Sequence, residues 1–412
     1  MDTVVTAPSP KLRTLVKHWL TGGTAARDLH DNPHELFDRL RAEEPVHRME
    51  DGAYILTRYA DVKHFLLLSS PSREAALPSA GSRGYFLQMM SSFLTQKDPP
   101  THTRLRRLVQ KAFTPKALGT LGSRIDQIVA SRLHALAPAG RMELMHDLAE
   151  PIPMAVICEM LGLPDDFLTL IQDLGAVTIA NNDPTPKSAA FFEMADAAAH
   201  RYADWLIEFI RDRERNPGTD LLSTILEVDG SDRLTHEEVV AVVANIHFGG
   251  YETTASLIGV AMVLLMRHPD QLASLRADPS LIDAALEEVL RYAPTGTVLK
   301  ARVTVEPVTY NGVTIPAGSP VYALTQFANR DPEVFADPHR FDIRRTRNDH
   351  MGFGAGLHFC LGFNLAKMEA KSAVKQIIAN LPGIRLEIAE PVWRDSLITR
   401  GYETIPVAWN VG

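Results

Sequence analysis

Cysteine is scarce in the 412-residue sequence: Cys158 and Cys360 are its only two, and they lie far apart. Two distant thiols do not make the disulfide framework of a small secreted domain. The N-terminal stretch MDTVVTAPSPKLRTLVKHWLTGG has no apolar run of signal-peptide or membrane-span length, so the expectation is a soluble, cytoplasmic protein with no membrane association. Positive charge is not in excess either. Lys and Arg number 42 against 50 Asp and Glu, a formal net charge of -8, which argues against a general nucleic-acid-binding surface. No internal repeat, low-complexity tract, flavin, iron–sulfur, nuclease or kinase motif is present. What is there is 45% hydrophobic and 22% charged, enough for a sizeable core.

The most informative stretch is HMGFGAGLHFCLG, from His350 to Gly362. Gly352, Gly354 and Gly356 precede Cys360, and glycine suits a backbone that turns sharply or passes close to something flat. Leu361, Leu365, Met368, Val374 and Ile378 then recur at helical spacing, which places the cysteine at a helix N-terminus, where unpaired N–H groups and the helix dipole favour thiolate. One thiolate is too few for a protein-only zinc site, which needs three further ligands. A planar macrocycle brings four of its own.

The pattern Phe353, Gly356, His358, Cys360, Gly362 resembles the cysteine-pocket signature F-x-x-G-x-[RH]-x-C-x-G of the cytochrome P-450 superfamily, the haem-thiolate monooxygenases. Three further stretches resemble the same family in order and spacing. THTRLRR resembles its H-T-R-L-R-R helix, which implies that His102 and Arg106, one face of a helix by their spacing, reach a haem propionate. It leaves Arg104, Arg107 and Lys111 as candidates for docking an acidic redox partner. The hexamer Gly249-Gly250-Tyr251-Glu252-Thr253-Thr254 resembles the [AG]-G-x-[DE]-T-[TS] signature. Glu288 and Arg291, followed by FANRDPEVFADPHRFDIRR, resemble the E-x-x-R pair and the meander that completes it. The joining arginine is expected to be Arg340, with Arg330 as the alternative, in a folding role.

The hexamer also stands out physically. Thr235 and Glu238 make a capping box, and the apolar pattern runs on to His268, a helix of about 30 residues and about 50 Å. Two glycines in its middle cost roughly 1 kcal/mol each against alanine, and threonines there bond back to helix carbonyls. The resemblance gives that strained locus a purpose: Gly249 and Gly250 open a groove for dioxygen, Thr253 supplies a hydroxyl and Glu252 relays protons. Helical spacing puts Asn245 on the face of Thr253 with Phe248 beside it, so both are expected substrate contacts.

By the same resemblance Arg302, His350 and His358 join the propionate set, and Gly354 and Phe353 pack on the haem. The loop from 69 to 92, irregular by its prolines and glycines, covers the substrate with Phe86, Met89 and Met90, while Thr297, Val298 and Ile398 complete the lining. The implied fold is mainly α with minor β-sheets, a single triangular cytochrome P-450 domain over 31–412 after a lead-in of 1–30. The implied activity is insertion of one oxygen atom from O2 into a small organic substrate, by hydroxylation or epoxidation in secondary metabolism or catabolism. It requires haem b and a ferredoxin or flavodoxin-type donor, and the enzyme is expected to be a monomer. The alternatives are a peroxygenase or oxidative-coupling enzyme, or a non-catalytic haem sensor. The last has no use for Glu252 and Thr253.

Overall fold

A computed structural model describes residues 14–16, 33–77, 84–119, 121–164, 167–182, 187–228, 230, 233–296, 301–394, 396 and 399–411. Thr297, Val298 and Ile398, and most of the lead-in, lie outside the described residues.

Pro33 stands at the head of α1 (His34–Glu43), whose Leu36, Phe37 and Leu40 are buried. β1 (Val46–Arg48) and β2 (Tyr54–Leu56) form the hairpin signalled by Asp51-Gly52, where Gly52 takes φ +86°. After α2 (Tyr59–Leu67) comes the stretch expected to be irregular, and it holds a helix, α3 (Tyr85–Ser91). Local propensity did not announce it because its cap comes from elsewhere: the Phe86 N–H donates to Asp196 at 2.8 Å.

The basic helix α4 (Thr101–Val109) is followed by α5 (Leu121–Leu136), β3 (Arg141–Glu143), α6 (Pro151–Leu161), α7 (Leu168–Asn182) and α8 (Ala189–Arg215). After a short helix at Leu221–Leu226 comes α9 (His236–Arg267), its start fixed by both hydrogen bonds of the Thr235–Glu238 capping box. It alone among the described residues is long and apolar enough to cross a membrane, and it is a buried core helix packed against α6, α8 and α11. α10 (Ile282–Tyr292) and α11 (Phe363–Asn380) flank the cysteine loop.

The sheets are small. β1-β2-β7-β4 is one, with β7 (Pro320–Ala323) parallel to β2 and β4 (Arg302–Val303) on its far edge. β5 (Val308–Tyr310) and β6 (Val313–Ile315) turn at Asn311-Gly312, both with positive φ, the primed turn that matches strand twist. β3 pairs with β9 (Pro406–Ala408), which also pairs with β8 (Arg385–Leu386). The helices carry the mass of the fold, and the sheets tie residues near 50 and 140 to the last third of the chain.

Candidate active site

The cysteine loop is shaped by backbone bonds of its own. Cys360 N–H donates to Phe353 O at 3.0 Å and Gly354 N–H to Met351 O at 2.9 Å. Gly356 takes φ +70° and lies so close to the Leu66 carbonyl that a Cβ there would collide with it. Gly362 is the N-cap of α11, so Cys360 sits just ahead of the helix rather than in its first turn. Burial pushes the Cys360 thiol up, against the Gly362 N–H and the Arg106 charge that pull it down. Burial thus works against the thiolate that the head of the helix favours, and a metal's charge on the sulfur would offset it.

Around this loop gathers a set of basic groups with almost no acid. His102 and Arg302 are buried, the His102 and His358 ring centroids are 4.5 Å apart, and Arg106 donates to Phe359 O at 2.9 Å. Arg73, from a stretch with no motif, is buried in the same cluster. Among the described residues both His102 nitrogens, Arg73 Nε and Arg302 Nε are buried without a hydrogen-bond partner. Burial holds both arginines down at about 10 and, with the charges of Arg73 and Arg302, holds His358 down at about 2. Asp98, the nearby acid, is engaged by the Ser72 hydroxyl and the Arg73 and Glu74 N–H groups. Unpaired buried cations are expensive. This cradle fits the dianionic edge of a haem.

His350 was expected in this set and is elsewhere. Its Nε2 pairs with Glu287 at 2.6 Å, which ties the loop to α10, while its Nδ1 accepts from Gly352 N–H within the loop, so both nitrogens are used. Lys367 on α11 bonds the other oxygen of Glu287.

On α9 the two glycines divide the work expected of both. A Cβ at Gly249 would meet nothing within 4 Å, so Gly249 faces open space. A Cβ at Gly250 would stand 2.7 Å from Ile157 Cδ1, so Gly250 serves close packing on α6 and does not open the groove. Thr253 Oγ1 donates back to Gly249 O at 2.6 Å, which places its hydroxyl beside that space. Glu252 is buried on another side of the helix, where Thr399 Oγ1 donates to it at 2.5 Å and Arg394 approaches to 3.9 Å. Burial raises its carboxyl above the usual range, outweighing both partners.

A thiol in a glycine loop thus lies beside an acid-poor cationic cradle, and the central helix carries an acid–threonine pair. The family model described as "Cytochrome P450" matches residues 8–382. The chain belongs to the cytochrome P-450 family. It is 36% identical over 403 residues to "Cytochrome P450 monooxygenase PikC" of Streptomyces venezuelae, covering 95% of this chain and 94% of that protein. It is 35% identical over 382 residues to "6-deoxyerythronolide B hydroxylase" of Saccharopolyspora erythraea, covering 88% and 92%. Among solved structures it matches P450BioI in complex with an acyl carrier protein ligated to hexadec-9Z-enoic acid, with TM-score 0.89 and 31% identity over 94% of this chain and 100% of that one. The chain is a cytochrome P-450 monooxygenase, and the family implies a haem-thiolate cofactor, an organic substrate, O2 and a redox partner.

The family's E-x-x-R pair is present at 2.8 Å between Glu288 and Arg291, both fully buried. Its joining side chain is Arg345, whose Nε donates to Glu288 at 3.0 Å. Arg340, expected there, gives only its carbonyl to Arg291, and its own side chain is exposed. Arg330, the alternative, donates instead to Tyr292 O and stacks on the Tyr292 ring. Spacing within a meander rich in arginine does not say which one turns inward.

The expected substrate contacts are partly gathered. Phe86, Met89 and Met90 of α3 are buried, Phe248 stacks on Phe93 with centroids 5.7 Å apart, and Asn245 accepts from Thr95 N–H at 3.3 Å. Asn245 and Phe248 are thereby pinned to the segment that follows α3. Arg104 is bonded to Glu238 at the head of α9 and stays partly exposed.

Proposed function

We propose that this monooxygenase carries haem b on Cys360, with the propionates held by His102, Arg106, Arg302 and His358 and by Arg73. Arg106 holds the cysteine loop through the Phe359 carbonyl. When bound, the haem supplies the oxygen-activating chemistry, and the thiolate favours O–O cleavage. The chain's own residues do the rest. Gly249 leaves room on α9, Thr253 presents its hydroxyl there once it lets go of Gly249 O, and Glu252, its carboxyl raised by burial, is the acid from which protons reach that hydroxyl. Glu288, Arg291 and Arg345 hold the meander against α10 so that the loop is formed before the haem arrives.

The substrate class is a small secondary metabolite that is hydroxylated or epoxidised. A separate ferredoxin or flavodoxin-type protein gives the electrons, and the enzyme works as a cytoplasmic monomer. The relatives' printed activities, among them a 6-deoxyerythronolide B hydroxylase, support the reaction class. The single observation that carries the reading is the group of buried, unpartnered basic atoms of Arg73, His102 and Arg302 beside the loop of Cys360.

The test is the absorption spectrum after dithionite reduction and carbon monoxide addition, for wild type and Cys360→Ala. A red-shifted Soret band in the former and not in the latter is expected. A histidine-type band in wild type, or no haem, overturns the reading. Rapid turnover with peroxide and no reductant would replace it with the peroxygenase.

A further inference from the structure

Asn245 is the residue at which α9 stops being enclosed. The residues before it, from Val239 to Ala244, are all buried, whereas Asn245 is partly exposed and Gly249, one turn on, faces open space. Asparagine inside a helix competes with the backbone for hydrogen bonds, so it is a poor choice there unless its amide is used. Half of it is used within the fold. Its Oδ1 accepts from Thr95 N–H at 3.3 Å, and Thr95 lies in the one-turn helix Leu94–Gln96, whose leading N–H groups have no partner inside the turn.

That bond settles which end of the amide is which. A backbone N–H needs an acceptor, and of the two amide heavy atoms only the oxygen is one, so the NH2 group is the end left for the open side. Among the described residues nothing accepts from it. The surroundings are uncharged. Between Glu238 and Glu252 α9 carries no Asp, Glu, Lys or Arg, and His247 is buried with its ring parallel to that of Tyr202 on α8. On the side of Asn245, α3 and the turn after it pack on α9, and Phe248 stacks on Phe93. Donors that are already aimed, unpaired and set among apolar side chains discriminate sharply. A hydrocarbon leaves them without a partner, and they offer a cation nothing.

We propose that Asn245 is a specificity-determining residue of this monooxygenase, a fixed N–H donor that selects neutral, largely apolar substrates bearing a carbonyl oxygen, as in a ketone, lactone, ester or amide. A carbonyl oxygen has two lone pairs and no proton of its own to place, which matches an NH2 group whose oxygen is already engaged. Thr95 is the positioning residue: by holding Oδ1 it keeps the amide from turning over and presenting an acceptor instead. The proposal deepens the monooxygenase reading and rests on the space beside Gly249 being where the substrate lies.

The test is a binding series that needs no turnover. Cycloalkanones from cyclohexanone to cyclopentadecanone, each with the methylidenecycloalkane and the cycloalkanol of its ring size, are titrated into the ferric holoenzyme by calorimetry at mildly alkaline pH. Wild type is expected to hold the ketone about tenfold tighter than the methylidene analogue at every ring size that binds, the worth of one neutral hydrogen bond. Asn245→Asp keeps an oxygen for Thr95 N–H and exchanges the donors for an acceptor. In that variant the ketone loses its advantage, and the alcohol, which can donate, outbinds it about tenfold. Asn245→Leu removes both ends of the amide and holds ketone and methylidene analogue equally. Equal affinities in wild type, no ketone bound at any ring size, or an undiminished ketone preference in Asn245→Asp overturns the assignment. Failure of the monooxygenase reading shows separately, as a wild-type carbon monoxide complex without the red-shifted band, whereas equal affinities in a protein that has the band count against Asn245 alone.

Discussion

Arg345 Nε donates to Glu288 Oε2 at 3.0 Å, on the carboxyl oxygen that Arg291 also binds, while its Nη1 reaches Ala336 O. The meander is thereby fixed through a side chain that occupies a position next to an equally basic neighbour, Arg344, which does not share the task. Arg345→Leu is expected to lower stability by about 2 kcal/mol, the worth of hydrogen bonds to a charged group when a second partner remains, and to reduce the yield of haem-loaded protein. Arg340→Ala changes neither by more than about 0.5 kcal/mol. Thermal unfolding of both variants, with the haem-to-protein absorbance ratio, decides between them.

The paired glycines of α9 give opposite outcomes. Gly249→Ala adds a methyl into open space and removes a helix-breaking residue, so the fold gains about 1 kcal/mol while the groove beside Thr253 narrows. Gly250→Ala drives its methyl into Ile157 and costs about 1–3 kcal/mol, recovered in part by Ile157→Val. Unfolding midpoints of the single variants and of the Gly250→Ala/Ile157→Val pair check this. Carbon monoxide binding, slowed only in Gly249→Ala, checks the groove.

Arg73 has no motif to recommend it, yet its Nε is among the buried unpartnered atoms of the cradle. Arg73→Gln is expected to speed haem loss to excess apomyoglobin by about tenfold to a hundredfold, the equivalent of one charge-assisted bond. The same substitution relieves repulsion from Arg302 in the haem-free chain, so the apoprotein does not lose stability. A loss in both states, read by denaturant titration, would make Arg73 a packing residue only.

Glu287 links the cysteine loop to α10 and α11. Burial would raise its carboxyl, but the His350 and Lys367 bonds outweigh burial and hold it down at about 2. A depressed carboxyl stabilises the fold above its unfolded value of about 4.3 and loses that contribution as pH falls toward 2. Acid unfolding of Glu287→Gln between those limits is therefore expected to be shallower than that of wild type, and the two curves to converge near pH 2. A wild-type curve with the same slope as the variant counts against the linkage.

α8 holds α3 by two contacts: Asp196 accepts from Phe86 N–H at 2.8 Å, and the Tyr85 and His200 rings stack with centroids 4.0 Å apart. Loss of a cap of this kind costs about 1 kcal/mol. Asp196→Ala is expected to raise both the on-rate and the off-rate of imidazole on the ferric enzyme about fivefold, with little change in Kd, because it loosens α3 without removing a contact to the bound ligand. A change in Kd alone would place Asp196 in the pocket wall instead.

Much of this was legible where short-range physics is decisive. The capping box at Thr235, the Asp51-Gly52 turn, the glycine loop and the acid–threonine pair all depend on residues within a few positions of one another, and each stands where the sequence put it. What was not legible depends on partners far away in the chain. Asp196 creates α3 from 110 positions beyond it. Glu287 takes His350 out of the cradle, Ile157 gives Gly250 a packing role, and the depth of a buried guanidinium separates Arg345 from Arg340. Helical spacing assigns a face, and only packing says what the face meets.

The parallel pairing of β2 with β7 sets Tyr54 opposite Val321. A nascent chain leaving the ribosome at ~5–20 residues per second exposes β2 on the order of tens of seconds before its partner exists. The edge left open in the meantime is Tyr54-Ile55-Leu56, an apolar strand that invites pairing with any other chain. β1 covers only the other edge of β2, so this one stays unpaired until residue 323 emerges. Only afterwards do β4 and Arg302 take their places, so the cradle for the cofactor is finished late in synthesis, with Cys360 later still.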